Sequence, residues 1–199
     1  RDPEPGWRDE FGHDLASLGD VDGDGISDTA VGAPYRTTAV HGDGGQVVIV
    51  SGYDGSVIAR AEDTDPTTVY LGWSIARVPD MDGDGADDVV TGAKLSEPAG
   101  QRQAGRIVVF SSSDGLVLER FDAEAPQEWS QRGTSVAALA DAGGAGVSAF
   151  AAGAPGYDGP TGADAGRVHV FVRDSDCDGD GLAPWMYCDD TDDEIWHVP

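Results

Sequence analysis

One pattern runs through the chain three times at a nearly fixed spacing, and that spacing restricts the possible folds more than any other property. Phe11-Gly12 recurs as Leu71-Gly72 and as Arg132-Gly133, in steps of 60 and then 61 residues. Gly32-Ala33-Pro34 recurs in the same steps as Gly92-Ala93-Lys94 and Gly153-Ala154-Pro155. So does Gly45-Gln46-Val47-Val48-Ile49-Val50, which returns as Gly105-Arg106-Ile107-Val108-Val109-Phe110 and as Gly166-Arg167-Val168-His169-Val170-Phe171. A period of this length marks a structural repeat in which each unit buries its apolar face against the next. Within a unit the apolar residues fall in short β-branched runs separated by turn residues, and helical periodicity is never sustained. The first unit predicts strands over 14–18, 29–31, 46–51 and 56–61, the last two joined at Asp54-Gly55, a hairpin signal repeated at Asp114-Gly115. Four short strands that cannot cover both their faces read as a β-propeller blade, so the expected class is all-β.

Composition supports that class. Apolar residues make up 39% of the 199 and glycine supplies 29, too apolar for a disordered acidic chain and too rich in glycine for a helical bundle. Asp plus Glu number 37 against 12 Lys plus Arg, a net charge of −25 that repels nucleic acid and anionic membranes and favours cations. No apolar run is long enough to span a bilayer and no basic-then-apolar leader precedes Arg1, so membrane insertion is not expected. Arg1 in place of an initiator Met makes a processed or trimmed product the expectation.

The acidic residues are concentrated in loops of one design. Asp20-Val21-Asp22-Gly23-Asp24-Gly25-Ile26-Ser27-Asp28 places carboxylates at loop positions 1, 3, 5 and 9, with Gly25 at the sharp turn. Calcium takes six to eight hard oxygen ligands, and a main-chain carbonyl at position 7, here Ile26, completes such a set. Asp80, Asp82, Asp84 and Asp88 repeat the arrangement, with Ala86 at the carbonyl position. Asp-Gly clusters also form plain turns. Plain turns do not require four converging carboxylates, which repel one another by about 4 kcal/mol per pair at ~4 Å and an effective dielectric near 20. Magnesium, which needs tight octahedral geometry and retains its waters, suits the loops less well. An EF-hand or dockerin would place an acid at position 12 and continue into a helix, but Val31 and Thr91 stand there and lead directly into Gly-Ala. The third unit runs Asp141-Ala142-Gly143-Gly144-Ala145-Gly146-Val147-Ser148-Ala149, retains one ligand, and is not expected to bind an ion.

Phe-Gly, then Asp-x-Asp-x-Asp-Gly-x-x-Asp, then Gly-Ala-Pro resembles the FG-GAP repeat of integrin α-subunit propellers and bacterial surface proteins, over about residues 7–172. Arg132 departs from the pattern, which calls for an aromatic or aliphatic residue. The resemblance implies three propeller blades within 1–173, at about 7–65, 66–125 and 126–173. Because closed propellers have four to eight blades, three would leave apolar faces for a protein partner, for further copies in an oligomer or fibre, or for further sequence.

Residues 174–199 form a separate acidic extension. Asp176, Asp178 and Asp180, with Leu182 at the carbonyl position and Asp189, Asp190 and Asp193 further on, make a candidate third calcium site. The segment resembles thrombospondin type 3 and MopE-like metal-binding repeats. In an exported protein Cys177 and Cys188 are expected to form a disulfide, closing a short loop and contributing about 3 kcal/mol. A copper site from Met186, His197 and the cysteines is disfavoured because the soft ligands are scattered.

No nucleophile elbow, zinc-binding His-Glu-x-x-His, phosphate loop or dinucleotide fingerprint occurs, and His13, His41, His169 and His197 are isolated. A catalytic His13-Asp14 pair and a phosphatase-like Asp20-x-Asp22 pair are weaker readings than structural histidine and metal ligation. Trp7, Trp73 and Trp129 nearly share the repeat period, as residues packed between blades would. The expected function is a non-catalytic adhesion or assembly module, secreted or on the cell surface, where calcium is abundant enough to fill loops binding at roughly 10⁻⁴–10⁻³ M. The alternatives are a calcium-dependent, lectin-like module that binds glycans and a non-catalytic fragment of a larger surface enzyme.

Overall fold

A computed structural model describes residues 8–123, 125–139, 149–160, 162–173 and 185–188. The strands are β1 (Leu15–Gly19), β2 (Asp28–Ala33), β3 (Gln46–Val50) and β4 (Val57–Ala61), followed by β5 (Leu71–Val78), β6 (Asp88–Ala93), β7 (Arg106–Phe110) and β8 (Val117–Phe121), then β9 (Ser135–Leu139), β10 (Ala149–Ala154), β11 (Arg167–Arg173) and β12 (Trp185–Cys188). Each set of four pairs in sequence order into an antiparallel meander, giving three four-stranded sheets. The all-β expectation and the strands expected in the first unit hold to within one or two residues. The fourth strand of the third sheet comes from beyond residue 173, because Trp185–Cys188 pairs with β11 in register Val170 to Cys188. Among the described residues the helical structure is a 3-10 turn at Pro98–Gly100.

Two apolar layers join the sheets, and strand alternation assigns side chains to one or the other. Val47 and Ile49 of β3 pack with Leu71, Ile75, Val89, Val108 and Phe110 between the first and second sheets. Ile107 and Val109 of β7 point the opposite way and pack with Val78, Val90, Phe121, Phe150 and Phe171 between the second and third. The middle sheet is therefore buried on both faces, which is why Ile107-Val108-Val109-Phe110 is uniformly apolar.

The repeated glycines are where one blade meets the next. A Cβ on Gly32 would lie 2.2 Å from the carbonyl oxygen of Gly72, and one on Gly92 would lie 1.9 Å from that of Gly133. Nothing larger than hydrogen fits. Beside this contact the Leu71 N–H donates to the Gly44 carbonyl and the Arg132 N–H to that of Ala104, each at 3.0 Å, forming parallel bridges Gly45 to Leu71 and Gly105 to Arg132.

Arg132 thus occupies the place of Leu71, and it is buried. Its guanidinium donates to His169 Nδ1 at 3.0 Å and stands 5.8 Å from the Phe171 ring. Because Arg can only donate, Nδ1 accepts and the His169 proton resides on Nε2. Burial first, and then the charges of Arg132 and Arg167, push His169 down to about 3. A second polar cluster fastens the connection between the first two blades. Arg106 binds Asp122 through Nε at 2.6 Å and Nη2 at 2.8 Å and reaches Asp65 at 2.8 Å, while Arg120 Nη2 donates to the buried Asp63 at 2.6 Å. Burial raises the Asp65 carboxyl, but bonds from Thr67 and Arg106 outweigh it and hold the group at about 2.

Candidate metal centres

The Asp-rich loops join β1 to β2 and β5 to β6, at the blade end opposite the repeated glycines. Each loop is wound by its own carboxylates. Asp20 accepts from Gly23 N–H at 2.8 Å with one oxygen and from Gly25 N–H at 2.9 Å with the other. Asp22 accepts from Asp24 N–H at 3.1 Å and Asp24 from Ile26 N–H at 2.7 Å. The second loop repeats the set. Asp80 accepts from Gly83 and Gly85 at 2.6 and 2.8 Å, Asp82 from Asp84 at 3.0 Å, and Asp84 from Ala86 at 2.8 Å. The Gly83 and Gly85 bonds hold the Asp80 carboxyl below its usual range. Gly23, Gly25, Gly83 and Gly85 all have positive φ, which lets the chain fold back over these acids.

The last acid of each loop is fully buried at the start of the second strand. Asp28 accepts from Val21 N–H at 2.7 Å and, across the blade, from Gly52 N–H at 2.9 Å. Asp88 does the same with Met81 N–H at 2.7 Å and Ser112 N–H at 3.3 Å. Burial, foremost, and the charges of Asp82 and Asp84 lift the Asp88 carboxyl to about 7. A proton or a cation relieves that crowding.

Of the predicted ligands in the first loop, Asp20, Asp22 and Asp24 present oxygens within 4.8 Å of one another, all exposed; in the second, Asp80, Asp82 and Asp88 do so. Asp28 and Asp84 stand outside these triplets. Asp28 is engaged by main-chain N–H groups, and Asp84 also accepts from Ser113 Oγ. The N–H groups of Ile26 and Ala86 donate to Asp24 and Asp84. All-carboxylate donor sets of this kind suit a hard divalent cation.

The turns after β3 and β7 were missed as parts of the site. Ser51 Oγ lies 3.5 Å from Asp24 Oδ2, the Gly52 N–H holds Asp28, and the Ser112 N–H and Ser113 hydroxyl hold Asp88 and Asp84. Their signal was available in the sequence, since Ser51-Gly52 and Ser111-Ser112 share the repeat step. His13 and Asp14 do not form a pair. Asp14 accepts from the Ile75 N–H of the next blade at 2.7 Å, and the His13 ring meets Glu10 at 3.2 Å and Trp73 at 4.3 Å. Trp73 is half-buried, with Lys94 Nζ 3.0 Å from its ring centroid, whereas Trp129 is exposed. The third loop at 140–148, Trp7, and Asp176, Cys177, Asp178, Asp180, Leu182, Asp189, Asp190 and Asp193 lie outside the described residues, as does the Cys188 side chain.

A family model for the FG-GAP repeat matches residues 11–50 and 71–110, each running from the Phe-Gly position through the Asp loop to the end of the third strand. The chain carries two FG-GAP repeats. Integrin alpha-PS2 of Drosophila melanogaster is 30% identical over 168 residues, covering 77% of this chain and 11% of that protein. Integrin alpha-5 of Xenopus laevis is 37% identical over 95 residues, covering 42% of this chain and 8% of its own length. Integrin alpha-4 of Xenopus laevis is 34% identical over 96 residues, 45% of this chain and 9% of that one. The FG-GAP chain thus spans about a tenth of the length of these relatives. Among its described residues, no helix is long and apolar enough to cross a membrane.

Proposed function

We propose that this FG-GAP chain is an extracellular, non-catalytic module for adhesion or assembly that binds calcium in its two complete Asp loops. The observation that carries the calcium reading is the convergence of Asp20, Asp22 and Asp24, and of Asp80, Asp82 and Asp88, each to within 4.8 Å. Such triplets are electrostatically costly when empty and favourable around a doubly charged ion. In this reading Asp20 and Asp80 set the loop path, Asp22 and Asp82 supply exposed oxygens, and Asp28 and Asp88 lock the loop to the turn after the third strand. The ion fixes loop shape and takes part in no reaction. A further calcium site at Asp176–Asp193 and a Cys177–Cys188 disulfide belong to the same proposal. Likeness to integrin α chains supports the adhesion class and a protein partner.

Calorimetric titration of the chelator-stripped chain with CaCl₂ tests the calcium reading. Heat with a midpoint at roughly 10⁻⁴–10⁻³ M, diminished by Asp22→Asn and again by Asp82→Asn, is expected. A loop occupied at ten times its Kd gains about 1.4 kcal/mol, so thermal stability rises with calcium. No heat and no stabilisation at millimolar calcium would refute it.

A further inference from the structure

The two complete Asp loops differ where the turn after the third strand closes over them. In the first unit that turn carries Gly52, and a Cβ added there would lie 2.0 Å from the Ser27 carbonyl oxygen and 3.2 Å from the Ile26 side chain. The first loop leaves no room for a side chain on this turn. One repeat step further on, Ser112 replaces Gly52 and Ala86 replaces Ile26. The smaller loop residue clears the side-chain part of the contact, and the turn stands further off. The Ser112 N–H lies 3.3 Å from Asp88, against 2.9 Å from the Gly52 N–H to Asp28. By this correspondence the Ser112 side chain faces the seventh and eighth loop positions, beside the buried Asp88.

Ser112 is 0% exposed, and among the described residues its Oγ is a buried side-chain oxygen with no hydrogen-bond partner. Burying a hydroxyl in that state is unfavourable, and Gly52 shows that the same turn closes without one. The hydroxyls on either side are engaged. Those of Ser111 and Ser113 lie 3.1 Å apart, and Ser113 donates to Asp84. That bond ties Asp84 to the turn. The acids that converge in the second loop are Asp80, Asp82 and the inward Asp88, where the first loop gathers Asp20, Asp22 and Asp24 at its exposed rim. The second triplet therefore includes the very carboxylate to which Ser112 is bonded.

We infer that the Ser112 hydroxyl is an oxygen donor to the cation of the second loop, a ligand that the first loop lacks. One oxygen from each of three carboxylates leaves about half of calcium's six to eight positions open. A serine hydroxyl is a neutral oxygen with two lone pairs, so it adds a donor without adding to the repulsion among the acids. The two sites are then chemically distinct, the first exposed and built on acids, the second deeper and completed by a hydroxyl. The inference rests on the calcium reading of the loops and extends the site to a residue outside the Asp-rich motif.

Calorimetric titration with CaCl₂ tests it with Ser112→Ala, made once beside Asp22→Asn and once beside Asp82→Asn. With Asp22→Asn the second loop is intact, and Ser112→Ala is expected to shift the heat that Asp82→Asn abolishes to about tenfold higher calcium. With Asp82→Asn the second loop is already disabled, and Ser112→Ala should change nothing. In chelator Ser112→Ala should melt at or above the parent, because it removes an unpartnered hydroxyl, and in calcium below it. Calcium binding to the Asp22→Asn chain that Ser112→Ala leaves unchanged would overturn the inference and leave the calcium reading standing. An equal effect beside Asp82→Asn, or a lower melting point in chelator, would overturn it as well, by placing the role of Ser112 outside the ion's shell. An Asp22→Asn chain whose calcium heat is untouched by Asp82→Asn would instead refute the calcium reading of the second loop, and the inference with it.

Discussion

Gly92→Ala isolates the contact that sets the spacing between blades. The added Cβ would lie 1.9 Å from the Gly133 carbonyl oxygen, which is main chain and cannot rotate away. Ordinary contact begins near 3.4 Å, so the third blade must retreat by about 1.5 Å or the second must deform. Overpacking of this kind costs about 1–3 kcal/mol. The retreat also strains the Arg132 N–H bond to Ala104 at 3.0 Å and the Ser74 hydroxyl bond to Gly133 at 2.9 Å, at about 1 kcal/mol each. The expected total is about 3–5 kcal/mol, a fall in Tm of about 6–20 °C for a chain of this size. Gly42→Ala is the control, because its Cβ would meet nothing within 4 Å and its φ is not positive, so its effect stays within about 0.5 kcal/mol. Urea unfolding followed by circular dichroism gives both differences, with an unchanged m-value showing that the same transition is compared. If Gly92→Ala and Gly42→Ala unfold at the same urea concentration, the reading of these glycines as the blade contact is wrong.

Asp28→Ala leaves the N–H groups of Val21 and Gly52 without their carboxylate, so it should cost about 2–4 kcal/mol even in chelator. Asp22→Asn should cost stability only when calcium is present, and equal losses in both buffers would assign Asp22 to the loop's scaffold. His169 is held near 3 when folded and titrates at about 6.5 when unfolded, so the unfolded chain takes up more protons between those values and stability falls as pH falls through that window. Between pH 7 and 5 this amounts to about 2 kcal/mol, and His169→Gln, which retains an acceptor for Arg132, should lose that much less over the same range in urea titrations. Asp63→Ala removes the partner of Arg120 and Thr68 and should cost about 2–4 kcal/mol, the exposure of Arg120 keeping it below a fully buried pair; a loss under 1 kcal/mol would show that the cluster adds little.

The parts of the fold that obey local rules were legible in the sequence. The Asp-x-Asp-x-Asp-Gly runs and the repeated glycines carry their meaning within a few residues, so strand order, blade number and ligand candidates could be read directly. What depends on distant partners could not. Arg132 reads as a break in the pattern because the residue that accommodates it, His169, lies 37 positions away. The division of labour within the loops was hidden for the same reason, since Asp28 and Asp88 are drawn inward by N–H groups 24 residues further along. Trp185–Cys188 follows a long acidic run that interrupts the third repeat, and only its pairing with β11 identifies it as that sheet's fourth strand.

The two devices repeated in each complete unit act at opposite ends of the blade and on different connections. At the glycine end the contacts run between blades, Gly32 against Gly72 and Gly92 against Gly133. At the acidic end they run within a blade, from the loop after the first strand through Asp28 or Asp88 to the turn after the third. A cation drawn to the loop therefore acts first within one blade, and reaches a neighbour only through the turn after β7, where a Cβ on Gly115 would lie 2.2 Å from the Arg60 carbonyl oxygen of the first blade. Removing it should lower the stability of the first two blades while the glycine contacts persist. The cost of Gly92→Ala in urea unfolding should therefore be the same in calcium and in chelator, and a cost that falls in chelator would show that the ion also sets the contact between blades.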